Sequence, residues 1–197
     1  MPQRRKANDT LSPELIKILK IFGVISIGLV LLLSFFNTKR ANNSGEDLSF
    51  RMTSSSRMYF LNVRAINYDR ETRSDAGMLL FRHGKRKVSK SSPTLDLVII
   101  LNSQKDEAYL YIEPVNVDWP LEIRASSDGK QEEVQLQNGN NSEFLGYVRK
   151  LEPWITNEAK FEIKQNATWV DIWANPKEKV ALKTILEDYF RLINKQG

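Results

Sequence analysis

From residue 15 to 36 the chain reads LIKILKIFGVISIGLVLLLSFF, and its stretch from Ile21 to Phe36 carries no charge. About 22 residues at about 1.5 Å of rise cover about 33 Å, the thickness of a hydrocarbon core of about 30 Å. The pattern predicts one transmembrane helix at 15–36 after a short tail at 1–14. Ser12 and Pro13 supply an N-cap and a first-turn proline, and Lys17 and Lys20 are long enough to snorkel toward headgroups. A soluble core helix rarely needs so long an uncharged run. A cleaved signal peptide is the closer rival, since Arg4, Arg5 and Lys6 resemble its basic start, but Asn37-Thr38-Lys39-Arg40 offers no small-x-small cleavage site. The reading is an uncleaved signal-anchor. Arg4, Arg5, Lys6, Lys17 and Lys20 outweigh Lys39 and Arg40 across the span, so the N-terminus is expected in the cytoplasm and the rest in the periplasm or outside the cell. Gly23, Ser26 and Gly28 put small residues inside the span and suggest a helix-packing face, although the spacing is not GxxxG.

Residues 37–47, NTKRANNSGED, are polar and aperiodic and read as a flexible linker. The domain that follows, 48–197, is expected to be mainly β. Tyr59, Leu61, Val63 and Ala65 alternate on one run, and Leu95, Leu97, Ile99 and Leu101 on another. Runs at 78–82, 109–112, 121–125, 133–137, 144–149, 161–164 and 169–173 bring the candidate strands to about nine. Asp128-Gly129 and Asn138-Gly139 are turn signals suited to antiparallel hairpins. Short strands without intervening helices favour an antiparallel sandwich or an open barrel. One helix closes the chain at 176–195, with Asn175 as N-cap, Pro176 in its first turn and Glu178 completing a capping box. Ala181, Leu182, Ile185, Leu186, Tyr189 and Ile193 form its apolar stripe, which the domain's own sheet is expected to cover.

Composition narrows the chemistry. The net charge of +5 gathers in the first twenty residues and in one loop, so no basic face spreads over the domain and nucleic acid is not an expected partner. The absence of cysteine removes disulfides, thiolate nucleophiles and cysteine-ligated metals. His83 is the single histidine and reads as a loop residue. No G-x-S-x-G elbow surrounds any serine, and Ser127-x-x-Lys130 encloses Asp128-Gly129, which a β-turn explains better than a serine–lysine site. Asp69, Glu71 and Asp75 crowd one segment as a calcium site would require, but Arg70 and Arg73 sit among them. No catalytic, metal or cofactor site is assigned, and the chain is read as a non-enzyme.

Two interaction candidates remain. Arg82, Lys85, Arg86, Lys87 and Lys90 fall within nine residues, more than solubility requires, and suit lipid phosphates or an acidic partner. Trp169, Asp171 and Trp173 share a strand face by period two, a candidate aromatic patch. Asn42, Asn140 and Asn166 begin formal glycosylation sequons. The functional expectation is a single-pass accessory or scaffold subunit whose outer domain binds protein partners in a membrane or envelope complex. The alternative is an envelope module that binds lipid or glycan.

Overall fold

The computed structural model describes residues 12–35, 50–102 and 104–193, with residues 30–35 described by their backbone alone. The chain divides into two compact units, Met1–Gly45 and Glu46–Gly197. The expected linker at 37–47 lies outside the described residues.

In the first unit, α1 runs Pro13–Phe35. Its start is fixed as the sequence implies: Ser12 Oγ accepts from the Leu15 N–H at 3.2 Å, and the Ser12 carbonyl accepts from Ile16. Between Leu15 and Leu29 ten large apolar side chains are exposed, at positions that go fully round the helix. The side chains described on α1 also include Glu14, Lys17 and Lys20, and among the described residues no helix is long and apolar enough to cross a membrane. Gly23, Ser26 and Gly28 do not share one face, because five residues at about 100° each carry Gly28 about 140° around from Gly23. A Cβ at Gly23 or Gly28 would meet open space.

The second unit is mainly β, with two four-stranded antiparallel sheets. Sheet A is a meander of β1 (Tyr68–Arg73), β2 (Met78–His83), β3 (Thr94–Asn102) and β4 (Glu107–Val115) in that order. Leu95, Leu97, Ile99 and Leu101 of β3 line its inner face, and Phe81, Leu110 and Ile112 join them from the neighbouring strands. Sheet B has the order β6–β5–β7–β8, from β5 (Leu121–Ser127), β6 (Lys130–Leu136), β7 (Lys160–Gln165) and β8 (Thr168–Ile172). Asp128-Gly129 makes the β5–β6 hairpin, with both residues left-handed as a two-residue turn of this twist requires.

Helix is more extensive than the alternation of apolar residues implies. Residues 59–65, expected as a strand, belong to α2 (Ser54–Tyr59), which runs on through a π turn (Phe60–Arg64) and a 3₁₀ turn (Ala65–Asn67). Thr53 and Ser56 exchange side-chain and backbone hydrogen bonds as a capping box, and Ser56 Oγ donates to the Leu192 carbonyl at 2.8 Å. Phe60 is the buried residue there, while Tyr59 and Val63 are exposed. Residues 144–149, also expected as a strand, lie in α3 (Asn141–Thr156). Asn140 Oδ1 accepts from Ser142 and Glu143, and Glu143 returns a bond to the Asn140 N–H, so Asn138-Gly139 leads into a helix and not into a hairpin.

Helices pack on the sheets as well: α3 lies along β4 and reaches β5, while α4 (Pro176–Leu192) lies along β3 and β4. Both inner faces join one hydrophobic cluster with α3 and α4. The closing helix is where the sequence puts it, with Asn175 capping and Pro176 in the first turn, and Ala181, Leu182, Ile185, Leu186, Tyr189 and Ile193 are all buried. An isolated helix of this length is marginal in water, so this burial supplies most of its stability. Ile185→Ala is expected to destabilise the domain by about 2–5 kcal/mol, read as a shift in the denaturant midpoint of the full chain in mild detergent. An unchanged midpoint would mean that the stripe does not hold the fold.

Candidate functional site

The basic segment is split by the sheet beneath it. Arg82 lies on the outer face of sheet A, where its guanidinium donates to Glu113 at 2.6 and 2.7 Å and to Glu71 at 2.7 Å. These partners hold its pKa above the ordinary arginine value, the Glu113 hydrogen bond contributing most. Arg86 contacts Asp69 and lies 3.4 Å from Asp96, and it also donates to the His83 carbonyl. Both arginines are therefore structural ties. Lys85, Lys87 and Lys90 are exposed, and among the described residues no carboxylate pairs with them. The same contacts engage the acidic residues considered for calcium: Asp69 goes to Arg86, Glu71 to Arg82 and Asp75 to Arg73.

The proposed aromatic patch is not one patch. Trp169 and Asp171 do face outward from β8, with the Arg124 guanidinium 3.8 Å above the Trp169 ring and Lys160 Nζ 3.0 Å from Asp171. Trp173 lies past the end of β8 in a left-handed conformation, φ 53°, which breaks the alternation and turns its ring into the core. It is 3% exposed, packs edge-on against Phe161 and donates its indole N–H to the Leu95 carbonyl at 2.7 Å. Around Trp169 the outer face of sheet B is laced with ion pairs, Arg124 with Glu133 and Glu162, and Lys164 with Glu122.

A buried polar cluster escaped the sequence reading. Asp188, 3% exposed on α4, accepts from Arg64 Nε and from the Tyr68 hydroxyl, each at 2.7 Å. Burial and then the Asp188 charge push the Tyr68 hydroxyl pKa upward. His83 is no loop residue but the last residue of β2, buried with its ring edge-on to Tyr68, and its Nδ1 accepts from the Lys85 N–H. Burial first, and then Lys85, lower its pKa, which favours the neutral ring. The signal for this cluster was present: Asp188 stands three residues after Ile185, inside the apolar stripe.

Beside this cluster a shallow cleft lies between Arg86, Lys87, Asp96, Trp173 and the start of α4 at Glu178 and Leu182. The cleft is open to solvent, and its volume of about 20 Å³ has room for about one water. Burial pushes the Asp96 carboxyl up to about 6, with Arg86 opposing the shift. Ser127, considered above with Lys130, sits at the hairpin and donates to Asp128. Asn140 is committed to capping α3, Asn166 occupies a left-handed turn position, and Asn42 lies outside the described residues.

Two outcomes follow from these charges. Asp188→Ala should destabilise the domain by about 3 kcal/mol, because it strands the Tyr68 hydroxyl and the Arg64 guanidinium; thermal melting checks this. Asp96 binds its proton more tightly when folded, so the stability it contributes in acid is lost as pH rises from about 4 to about 6. Asp96→Asn cannot ionise, and its stability relative to the unmodified chain should improve by up to about 3 kcal/mol between pH 4 and pH 7, as judged by denaturant melts at each pH.

Comparison with known proteins returns no match: no family model, no curated protein and no solved structure is similar to this chain.

Proposed function

We propose that the chain is a single-pass membrane-anchored accessory subunit whose folded domain, outside the cytoplasm, binds protein partners in a membrane or envelope complex. The observation that carries the anchor is α1: apolar side chains from Leu15 to Leu29 are exposed on every side of the helix, and the sequence continues without charge to Phe36. A helix that is apolar all round is unstable in water and belongs in a bilayer or a protein core. The described helix alone is not long and apolar enough to cross a membrane, and the reading adds the uncharged sequence that continues to Phe36: the 22 residues from Leu15 would measure about 33 Å as a helix.

The partner-binding half of the reading is supported by the outer face of sheet B. Trp169 stacked under Arg124, with Glu122, Glu162 and Lys164 around it, offers an aromatic group within a charged, orientation-setting surround. The second reading is an envelope module that binds lipid or glycan through the tryptophan-bearing strand, where the outward Trp169 ring would be the stacking surface.

The anchor is tested by extracting native membranes with alkaline carbonate, which should leave the chain in the membrane pellet. Protease added to right-side-out vesicles should reach the domain and spare the first ten residues. Release by carbonate would overturn the anchor; protection of the domain would overturn its side. Trp169→Ala and Arg124→Ala should each reduce by tenfold or more the recovery of partners co-purified in mild detergent, the scale of about 1.4 kcal/mol per decade, while Arg124→Ala lowers the domain's stability by no more than the about 1 kcal/mol of exposed ion pairs.

A further inference from the structure

The end of sheet A that carries the basic segment also carries two isolated apolar tips. Ile66, in the 3₁₀ turn before β1, is 88% exposed, and Val88, within the loop after β2, is 79% exposed. The two segments are joined: the Gly84 N–H donates to the Asn67 carbonyl at 2.9 Å, and Tyr68 pairs with His83 where β1 begins and β2 ends. Met58 and Val63 add exposed apolar side chains on the same helical segment as Ile66.

The loop is held in place. Arg86 pins its middle to Asp69, Asp96 and the His83 carbonyl. Asn116 Nδ2 pins its far side by donating to the Ser89 and Ser92 carbonyls at 3.0 and 3.1 Å. Lys85, Lys87, Val88 and Lys90 stay in solvent, together with Gly84 and Ser91. A pre-ordered loop loses little freedom when it binds.

We propose that this end of the domain docks on the surface of an anionic lipid bilayer, with Ile66 and Val88 entering among the headgroups and Lys85, Lys87 and Lys90 on the phosphates. The proposal rests on the membrane-anchor reading, and three observations favour lipid over protein. The segment's arginines, Arg82 and Arg86, whose planar forks suit carboxylates on a protein partner, are already paired with Glu113, Glu71 and Asp69 of their own domain, and among the described residues the charges left unpaired in the segment are all lysine. Lysine is depleted at protein interfaces, whereas a flexible ammonium suits mobile phosphates. The 14 residues at 36–49 span at most about 50 Å, so the domain of an anchored chain meets the bilayer surface at high effective concentration.

The chain has no cysteine, so Val88→Cys accepts a single polarity-sensitive fluorophore. The full chain is reconstituted into vesicles of phosphatidylcholine, or of phosphatidylcholine with phosphatidylglycerol, each carrying nitroxide-labelled lipid as a quencher. A label at Gln131→Cys, exposed on β6, is the reference. The Val88 label should shift to the blue and be quenched only with phosphatidylglycerol, and high salt should reverse both changes. Replacing Lys85, Lys87 and Lys90 one by one with Gln should lower the docking constant about fivefold each, the equivalent of about 1 kcal/mol per lysine. A Val88 label as wet as the Gln131 label, on a chain that floats with the vesicles and resists carbonate, overturns docking while the anchor stands, and leaves the lysines to an acidic protein. An equal response on phosphatidylcholine alone also overturns it, since the lysines would then contribute nothing. Failure to float overturns the anchor, and docking with it.

Discussion

A carboxylate withdrawn from water has to be met by partners that can carry its charge, and in this domain that requirement falls on Asp188. Helix α4 cannot seat its stripe on sheet A without burying Asp188 as well, because the residue lies on the same side as Ile185 and Tyr189. Its two partners come from elements far away in sequence, Arg64 in the π turn and Tyr68 at the start of β1. The seat of α4, the turn after α2 and the register of the first strand are therefore set together. Ser56 on the Leu192 carbonyl and Arg191 on Tyr59 fasten the same pair of helices at their ends. A buried ionic contact of this kind adds little net stability over an apolar one, and it tolerates few alternative arrangements.

The basic residues divide by chemistry. Arg64, Arg82, Arg86 and Arg124 each engage carboxylates on their own domain, and three of them join separate strands across a sheet face. Their forked, permanently charged heads suit fixed geometry. The lysines of the loop after β2 make no such ties among the described residues and stay in solvent. Read as a sequence, the segment from Arg82 to Lys90 is one block of charge; folded, it is an internal frame plus a few outward charges.

Elements governed by local signals were legible before the fold was. Asn175, Pro176 and Glu178 fixed the start of α4, Asp128-Gly129 fixed a hairpin, and period-two alternation found β3. The two misread strands have one cause. Alternation at 59–65 and an apolar-rich run at 144–149 outweighed capping boxes at Thr53 with Ser56 and at Asn140 with Glu143, although the boxes carry the more specific geometry. Trp173 was misplaced because period two holds only while the backbone stays extended, and a single left-handed residue reverses the side chain. The Asp188 cluster depends on contacts more than 100 residues apart in sequence, which no local pattern encodes. Its one trace was a charge in an apolar stripe.

One edge of sheet B has a bearing on how the chain behaves in a crowd. Among the described residues strand β6 is unpaired on one side, and Lys130, Gln131, Glu132 and Glu133 are exposed along it. A second copy approaching antiparallel and centred on Glu133 would set the two Glu133 carboxylates directly opposite each other, which is unfavourable. Open strand edges are templates for fibrils and swapped dimers, and charge along the edge blocks that growth. Charge along β6 therefore disfavours growth of the sheet through this edge, and the outer face of sheet B stays open to other contacts.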